Sequence, residues 1–265
     1  MRHKRYVLTL MLVGLGGVGC LLVWILWVQK QPPANAVFQN PECSPPMIWA
    51  HRGGAHGSLP DNSLAAIAAA LGEGFCGIEI DVYWSDQGHF VVQHDPPAEA
   101  VGVGPSLAQV FERAEARNVY WWLDFKNLTA RNAEAAAKHL TRLAASHGLQ
   151  ERIFVESPDL FQLAYFSVHA DNVRTVYWVA SSLNLLSPLN YLRTFLVMAL
   201  VNPAIVSVPY VHYGRLHETL FSRRLVMVFS PSLEPEIDDL FERGVSVVLT
   251  RTRYKKYMKR TTQDK

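Results

Sequence analysis

Four short segments carry residues able to do chemistry: His51-Arg52, Glu79-Ile80-Asp81, His94-Asp95 and Asp124-Phe125-Lys126. Two imidazoles, each able to gain or lose a proton near neutral pH, are suited to serve as one general base and one general acid. Glu79 and Asp81 lie two residues apart, so on a strand their carboxylates share one side. With Asp124 they make an all-oxygen set suited to Ca²⁺ or Mg²⁺ rather than zinc. Phe75, Ile78, Ile80 and Val82 around them predict a buried strand, where unpaired carboxylates are costly, and this favours a metal site over a solvated strand edge. Arg52 and Lys126 are suited to hold a phosphate and offset the charge it gains in a transition state. Acid, base, hard cation and phosphate clamps together point to cleavage of a phosphodiester. They do not specify the rest of the substrate.

These residues are useful only if the elements carrying them converge. Strands are predicted over Met47–His51, Gly77–Val82, Phe90–His94, Tyr120–Phe125, Arg152–Glu156, Val173–Val179, Ala204–Val208, Leu225–Phe229 and Val245–Thr250. Helical patterns fall at Ser63–Leu71, Ser106–Arg117, Arg131–His147, Pro158–Ser167 and Glu234–Arg243. Alternating β and α with buried-looking strands predicts an α/β fold, a TIM-type (β/α)8 barrel, in which one of the nine runs is peripheral or not a strand. His51, Glu79, Asp81, His94 and Asp124 all fall at or near strand ends. In such a barrel the C-terminal strand ends meet on one rim, where barrel active sites sit.

Residues 6–28 contain no charged residue, and these 23 residues as a helix span about 34 Å, enough for a hydrocarbon core of about 30 Å. Arg2, Lys4 and Arg5 precede the run, which orients a single-pass anchor with its N-terminus in the cytoplasm and the barrel on the periplasmic or luminal side. A cleaved signal peptide is the rival, but the run exceeds the usual apolar region of roughly 7–15 residues. The expected organisation is a cytoplasmic tip and membrane anchor over 1–30, a Pro-rich linker over 31–46 and a barrel with a basic tail over 47–265. Total charge is +2. The two basic ends, 1–30 and 251–265, account for +4 and +6, so the body between them carries −8. An acidic body argues against a nucleic-acid partner. Three Cys exclude a disulfide-dense mini-fold and argue against a Cys-based zinc site. Cys43 and Cys76 precede the first two strands and, in an oxidising compartment, are expected to pair; two unrelated buried thiols are the alternative.

Trp49-Ala50-His51-Arg52-Gly53-Gly54, Leu59-Pro60-Asp61-Asn62-Ser63, Gly77–Val82, Val91–Asp95 and Trp122–Lys126, in that order, resemble the motifs of the glycerophosphodiester phosphodiesterase family. The resemblance implies a TIM-like barrel, divalent-metal dependence, His51 and His94 as the acid/base pair, and Glu79, Asp81 and Asp124 as metal ligands. It also implies hydrolysis of glycerophosphodiesters or lysophospholipids to a phosphomonoester and an alcohol; in some relatives a substrate hydroxyl attacks first and yields a cyclic phosphate. Four features depart from the family. Asp124 stands where Glu is usual. The segment after His94-Asp95 is short. Phe229-Ser230-Pro231-Ser232 and Thr250-Arg251-Thr252-Arg253 replace the usual late motifs. The short segment is shared with the sphingomyelinase D group, so a lysophospholipase D forming a cyclic phosphate is one alternative, and a non-catalytic barrel binding phospholipid head groups is another. Leu183–Val201 reads as a barrel helix or an interfacial segment, and the basic residues of Arg251–Arg260 as a solvated end or a contact for anionic lipid.

Overall fold

The computed structural model describes residues 37–38, 40, 42–54, 59–96, 104–114, 119–179, 187–200, 203–216 and 224–258. Its strands are β1 (Met47–Ala50), β2 (Gly77–Trp84), β3 (Phe90–Val92), β4 (Tyr120–Phe125), β5 (Ile153–Ser157), β6 (Arg174–Trp178), β7 (Ile205–Pro209), β8 (Leu225–Phe229) and β9 (Val247–Thr250). The helices are α1 (Leu64–Glu73), α2 (Leu107–Ala114), α3 (Ala133–Ser146), α4 (Leu160–His169), α5 (Pro188–Leu200), α6 (Tyr210–Leu216) and α7 (Glu234–Glu242). Parallel pairing runs from β1 through β2, β4 and on to β9, which returns to β1, so eight strands close the expected barrel. β3 is the peripheral run. It folds back antiparallel on β2, with Val82 opposite Val92 and Trp84 opposite Phe90.

Local chemistry sets the helix ends. The Ser63 hydroxyl accepts from the Ala66 N–H at 3.1 Å to start α1, and Gly74 at φ 91° stops it. The Asp159 carboxylate accepts from the Phe161 and Gln162 N–H groups at the start of α4. Along each strand the side chains alternate. Ile48, Ile78, Ile80, Trp121 and Leu123 pack outward against the helices, whereas Met47, Trp49, Tyr120, Trp122 and Phe154 fill the barrel. The Trp49 and Tyr120 rings stack, with centroids 5.7 Å apart. Gly77 makes room for this: a Cβ there would lie 2.2 Å from Trp49 Cδ2.

The described residues between 37 and 46 pack against the barrel. Phe38 stacks on Phe154 and meets the edges of Trp49 and Tyr120, and the Asn40 N–H donates to the Tyr120 hydroxyl at 3.0 Å. The described part of the basic tail, 251–258, likewise contacts the barrel. Lys256, Tyr254 and Tyr257 all reach the Asp238 carboxylate of α7, Arg253 pairs with Glu73, and Arg251 pairs with Asp61. The predicted anchor, 6–28, lies outside the described residues; among those described, no helix is long and apolar enough to cross a membrane.

Cys43 and Cys76 form the expected disulfide, with Cα atoms 5.3 Å apart, and tie the chain below the barrel to the start of β2. The two are 33 residues apart. A covalent loop of that length stabilises by about 4 kcal/mol through restriction of the unfolded chain. Denaturant titration of Cys76→Ser is therefore expected to show a loss of about 2–4 kcal/mol. A variant with unchanged stability, or two free thiols in the native protein by non-reducing mass spectrometry, contradicts this.

Candidate active site

All seven residues singled out in the sequence line one cavity of about 270 Å³ at the C-terminal end of the barrel: His51, Arg52, Glu79, Asp81, His94, Asp124 and Lys126. β1 ends at Ala50, and His51–Gly53 form a single 3-10 turn in which Arg52 and Gly53 both have positive φ, 51° and 78°. That turn points the Arg52 backbone N–H at Glu79 Oε2, 2.8 Å away, and sets Arg52 Nε 3.4 Å from Asp81 Oδ2. Glu79, Asp81 and Asp124 face inward by the same alternation that buries Ile78, Ile80 and Leu123 on the other side.

His94 reaches the cavity by a different route from the one expected. It follows an antiparallel strand, so it comes back down beside β2; the Gln93 N–H donates to the Asp81 carbonyl at 3.0 Å. The Asp95 carboxylate sits 2.8 Å from His94 Nδ1. A carboxylate only accepts, so Nδ1 carries the proton and Nε2 is the atom left to exchange one.

Three carboxylates on adjacent strands lie in one layer, because the register pairs Asp81 with Asp124 and Asp124 with Glu156. Burial, with repulsion from Asp81 and Asp124, holds the Glu79 carboxyl well above the usual range. Asp124 is also raised, mainly by burial, with Lys126 opposing. Burial works against the Lys126 charge, but Asp124 and Asp81, at 2.5 and 2.7 Å from Nζ, outweigh it and raise the ammonium. Burial, reinforced by the Arg52 and Arg251 guanidinium groups, lowers His51 to about 4. At neutral pH His51 is therefore an uncharged imidazole, 3.8 Å from Glu79 Oε2. An oxygen atom from each of Glu79, Asp81 and Asp124 lies within 4.8 Å of the others. Oxygen-only donors whose negative charge is opposed by burial fit a hard divalent cation.

The structure gives a place in the site to residues to which motif reading assigned no role. Asn62, buried at φ 60°, donates from Nδ2 to Asp81 Oδ2 at 2.7 Å and accepts the Asp81 N–H at 3.1 Å. Its signal was its place between Asp61 and Ser63 in a family-like segment. Asp61 holds Arg52 at 3.3 Å and Arg251 at 2.5 Å. Glu156, Trp178 and Ser230 complete the wall. Glu156 was visible as an acid ending a predicted strand.

Just outside the rim, α4 and α5 flank an apolar groove of about 730 Å³ walled by Leu160, Phe161, Tyr177, Leu192 and Leu196, with Arg193 beside them. It shares two strand ends with the cavity: Glu156 lines the cavity and Pro158 the groove, as do Trp178 and Tyr177 respectively. Leu189 and Phe161, at 74% and 81% exposure, leave its edge open to solvent.

Comparison with known proteins agrees with this geometry. Residues 51–140 match the model of the glycerophosphoryl diester phosphodiesterase family. This is the family that the sequence motifs resemble. A probable glycerophosphodiester phosphodiesterase 1 of Mycobacterium tuberculosis H37Rv is 36% identical over 81 residues, covering 30% of this chain and 29% of the relative. The human glycerophosphodiester phosphodiesterase 1 is 37% identical over 71 residues, covering 26% of this chain and 21% of that protein. The matched segment thus spans less than a third of these curated relatives. The fold likeness is broader. A phosphodiesterase of Oleispira antarctica, solved with the product sn-glycerol-3-phosphate, superposes with a TM-score of 0.62 at 19% identity over 78% of this chain and 93% of that one. A Silicibacter pomeroyi structure described as a putative glycerophosphoryl diester phosphodiesterase gives 0.64 at 17% identity, over 82% and 92%.

The depressed His51 has a measurable sign. The unfolded chain takes up a proton at this position near pH 6.5, the folded chain only near 4, so this group removes stability as pH falls through that window. In NMR titrations the His51 ring protons are expected to shift with a midpoint near 4; a midpoint at or above 6 contradicts the burial and the paired guanidinium groups as its cause.

Proposed function

We propose that this chain is a metal-dependent phosphodiesterase that hydrolyses glycerophosphodiesters to a phosphomonoester and an alcohol. The observation that carries this reading is the convergence of two histidines, three metal-type carboxylates and two cationic side chains on one cavity of about 270 Å³. The names of the relatives support the substrate class, as does the glycerol phosphate bound by the Oleispira enzyme.

In this mechanism Arg52 and Lys126 bind the phosphate oxygens and compensate the charge that builds as the phosphorus becomes five-coordinate. His51, uncharged at rest, takes the proton of the attacking hydroxyl on Nε2 as the new P–O bond forms. His94 gives a proton from Nε2 to the departing alkoxide as the old P–O bond breaks, and Asp95 keeps its ring oriented. Asn62 and the Arg52 backbone N–H hold Asp81 and Glu79 in place. Glu79, Asp81 and Asp124 hold the cation, Ca²⁺ or Mg²⁺, which supplies Lewis-acid polarisation of the phosphoryl group when bound. Water as the attacking group gives the linear phosphomonoester. A substrate hydroxyl gives the cyclic phosphate of the sphingomyelinase D-like alternative, and product identification separates the two.

The apolar groove favours a second reading in which the substrate is a lysophospholipid, its phosphate in the cavity and its acyl chain lying across the shared ends of β5 and β6. Membrane attachment through residues 6–28, with the barrel outside the cytoplasm, suits such a substrate. The charge-free run supports that placement, and so does the disulfide, which persists in oxidising compartments.

His94→Ala is expected to lower kcat/KM by roughly 10²–10⁴-fold, and a chelator to abolish turnover until Ca²⁺ or Mg²⁺ is restored. Undiminished turnover in the variant overturns the acid/base role of His94, and a metal-loaded wild-type chain without turnover leaves the non-catalytic, head-group-binding barrel. Lysophosphatidylcholine assayed beside glycerophosphocholine is expected to be cleaved; hydrolysis of the water-soluble diester alone overturns the acyl-chain reading.

A further inference from the structure

One side of the helix layer differs from the rest. Among the described residues seven large apolar side chains are exposed, and five of them lie on two neighbouring helices: Phe161, Tyr165 and Val168 on α4, Leu189 and Leu192 on α5. Positions i, i+4 and i+7 on α4, and i and i+3 on α5, put each set on one helical face. Both helices wall the apolar groove, so the two faces adjoin. α4 contains no Asp, Glu, Lys or Arg, and α5 only Arg193. Asp159, just before α4, is taken up by the Phe161 and Gln162 N–H groups. Elsewhere in the layer α3 carries Glu134, Lys138 and Arg142, and α7 carries five acids. Single exposed apolar side chains are ordinary, whereas a charge-poor face that gathers them marks a surface for an apolar partner.

We propose that the α4–α5 face docks side-on against the phospholipid bilayer that holds residues 6–28. The proposal rests on the membrane-attached reading given above and goes beyond it. Chain length chooses the occupant. Residues 29–36, eight in all, join the charge-free run to Val37, which lies in the apolar floor of the barrel, where Phe38 packs against Trp49 and Phe154. Fully extended, they reach about 30 Å. That distance carries the chain around the helix layer to the side of the barrel. It falls short of the catalytic rim at the far end. The route there crosses strand and helix layers of about 10 Å each, then climbs a helix, about 21 Å for the 14 residues of α3. The body therefore lies on its side, and α4–α5 is the side suited to lipid. Its apolar side chains enter the boundary of the acyl chains, while Arg193 pairs with a head-group phosphate. In this pose the groove opens onto the bilayer and meets the cavity at the shared ends of β5 and β6, a path for an acylated substrate.

The test reconstitutes the full chain in phosphatidylcholine vesicles doped with a phosphatidylcholine that carries a photoactivatable acyl chain, and maps lipid adducts by mass spectrometry. Adducts are expected on 6–28, α4 and α5, with few on α3 and α7. Phe161→Glu and Val168→Glu each put a charge on the exposed face. Each is expected to cut the α4–α5 adducts by roughly tenfold, with the adducts on 6–28 and the Tm unchanged. Val168 does not line the groove, so its variant separates docking from substrate binding and keeps the test open if the Phe161 variant fails to fold. Adducts on 6–28 alone, adducts spread evenly over the helices, or wild-type labelling in the folded variants overturn the docking proposal and leave the anchor standing. Adducts missing from 6–28 overturn the membrane attachment on which it rests. A dimer in detergent that either variant dissociates assigns the face to a second copy of the chain and overturns the proposal as well.

Discussion

The rest of the site depends on one electrostatic constraint: acidic side chains crowded over an aromatic floor in a closed barrel. Neighbouring strands lie about 4.8 Å apart, a distance at which two full charges repel by about 3 kcal/mol at an effective dielectric near 20. Asp81, Asp124 and Glu156 stand side by side at this spacing, with Glu79 one turn of the alternation below Asp81. Trp49 and Trp122, both fully buried, keep water from reaching them from beneath. Nearly every polar contact nearby answers that crowding. Lys126 bridges two of the acids, Arg52 serves Glu79 through its backbone and Asp81 through its side chain, and Asn62 satisfies Asp81 from below the rim. Asp61 then holds Arg52 and Arg251, so the cations that tame the cavity are themselves fixed.

A barrel suits this task because its two halves separate stability from chemistry. At the N-terminal end the interior is apolar and closed: Phe38 covers Trp49, Tyr120 and Phe154, and the disulfide pins the chain that carries it. Gly77 is the point where this half meets the other. Its missing side chain lets Trp49 lie across the barrel, and two residues later the same strand presents Glu79. Burial of the large aromatic side chains, each contributing on the order of 2–3 kcal/mol, offsets the unfavourable ionic layer above.

Much of this arrangement was legible in the chain, and the misses share a physical origin. Period-2 alternation in Gly77–Val82 and Tyr120–Phe125 identified both the strands and the faces their acids share, because inward and outward residues differ in chemistry there. Strand direction is not encoded in that alternation, and so the antiparallel return of β3, which brings His94 down beside Asp81, could not be read from it. Asn62 was hidden because its role needs a left-handed backbone and a partner 19 residues away. Glu156 was legible as an acid at a strand end, but its place beside Asp124 was not, because only the closed sheet sets β5 next to β4. The pairing of the tail was not legible for a similar reason: its bases read as a solvated end or a contact for anionic lipid, whereas Asp61, Glu73 and Asp238 on the barrel surface pair with Arg251, Arg253 and Lys256. Long-range charge pairing leaves no local periodic signature.

Lys126 makes the link between the ionic layer and function. As it stands, its ammonium is committed to Asp124 and Asp81, 2.5 and 2.7 Å away, and has little left to offer a phosphate. On the metal-dependent reading, those same two carboxylates are the ones that turn to the cation. Once they do, they no longer draw on Lys126, and burial makes an unpartnered ammonium in that wall unfavourable until an anion replaces them. On that reading Lys126 would exchange two carboxylates for the oxygens of a phosphate. Arg52 does not share this exchange fully, because its backbone N–H stays on Glu79 and Asp61 retains its guanidinium. The two clamps therefore differ in kind. Arg52 is a fixed part of the site, and Lys126 is the part whose availability depends on the acids beside it; on the proposed reading, cation binding and phosphate binding at this rim would be coupled through this one side chain.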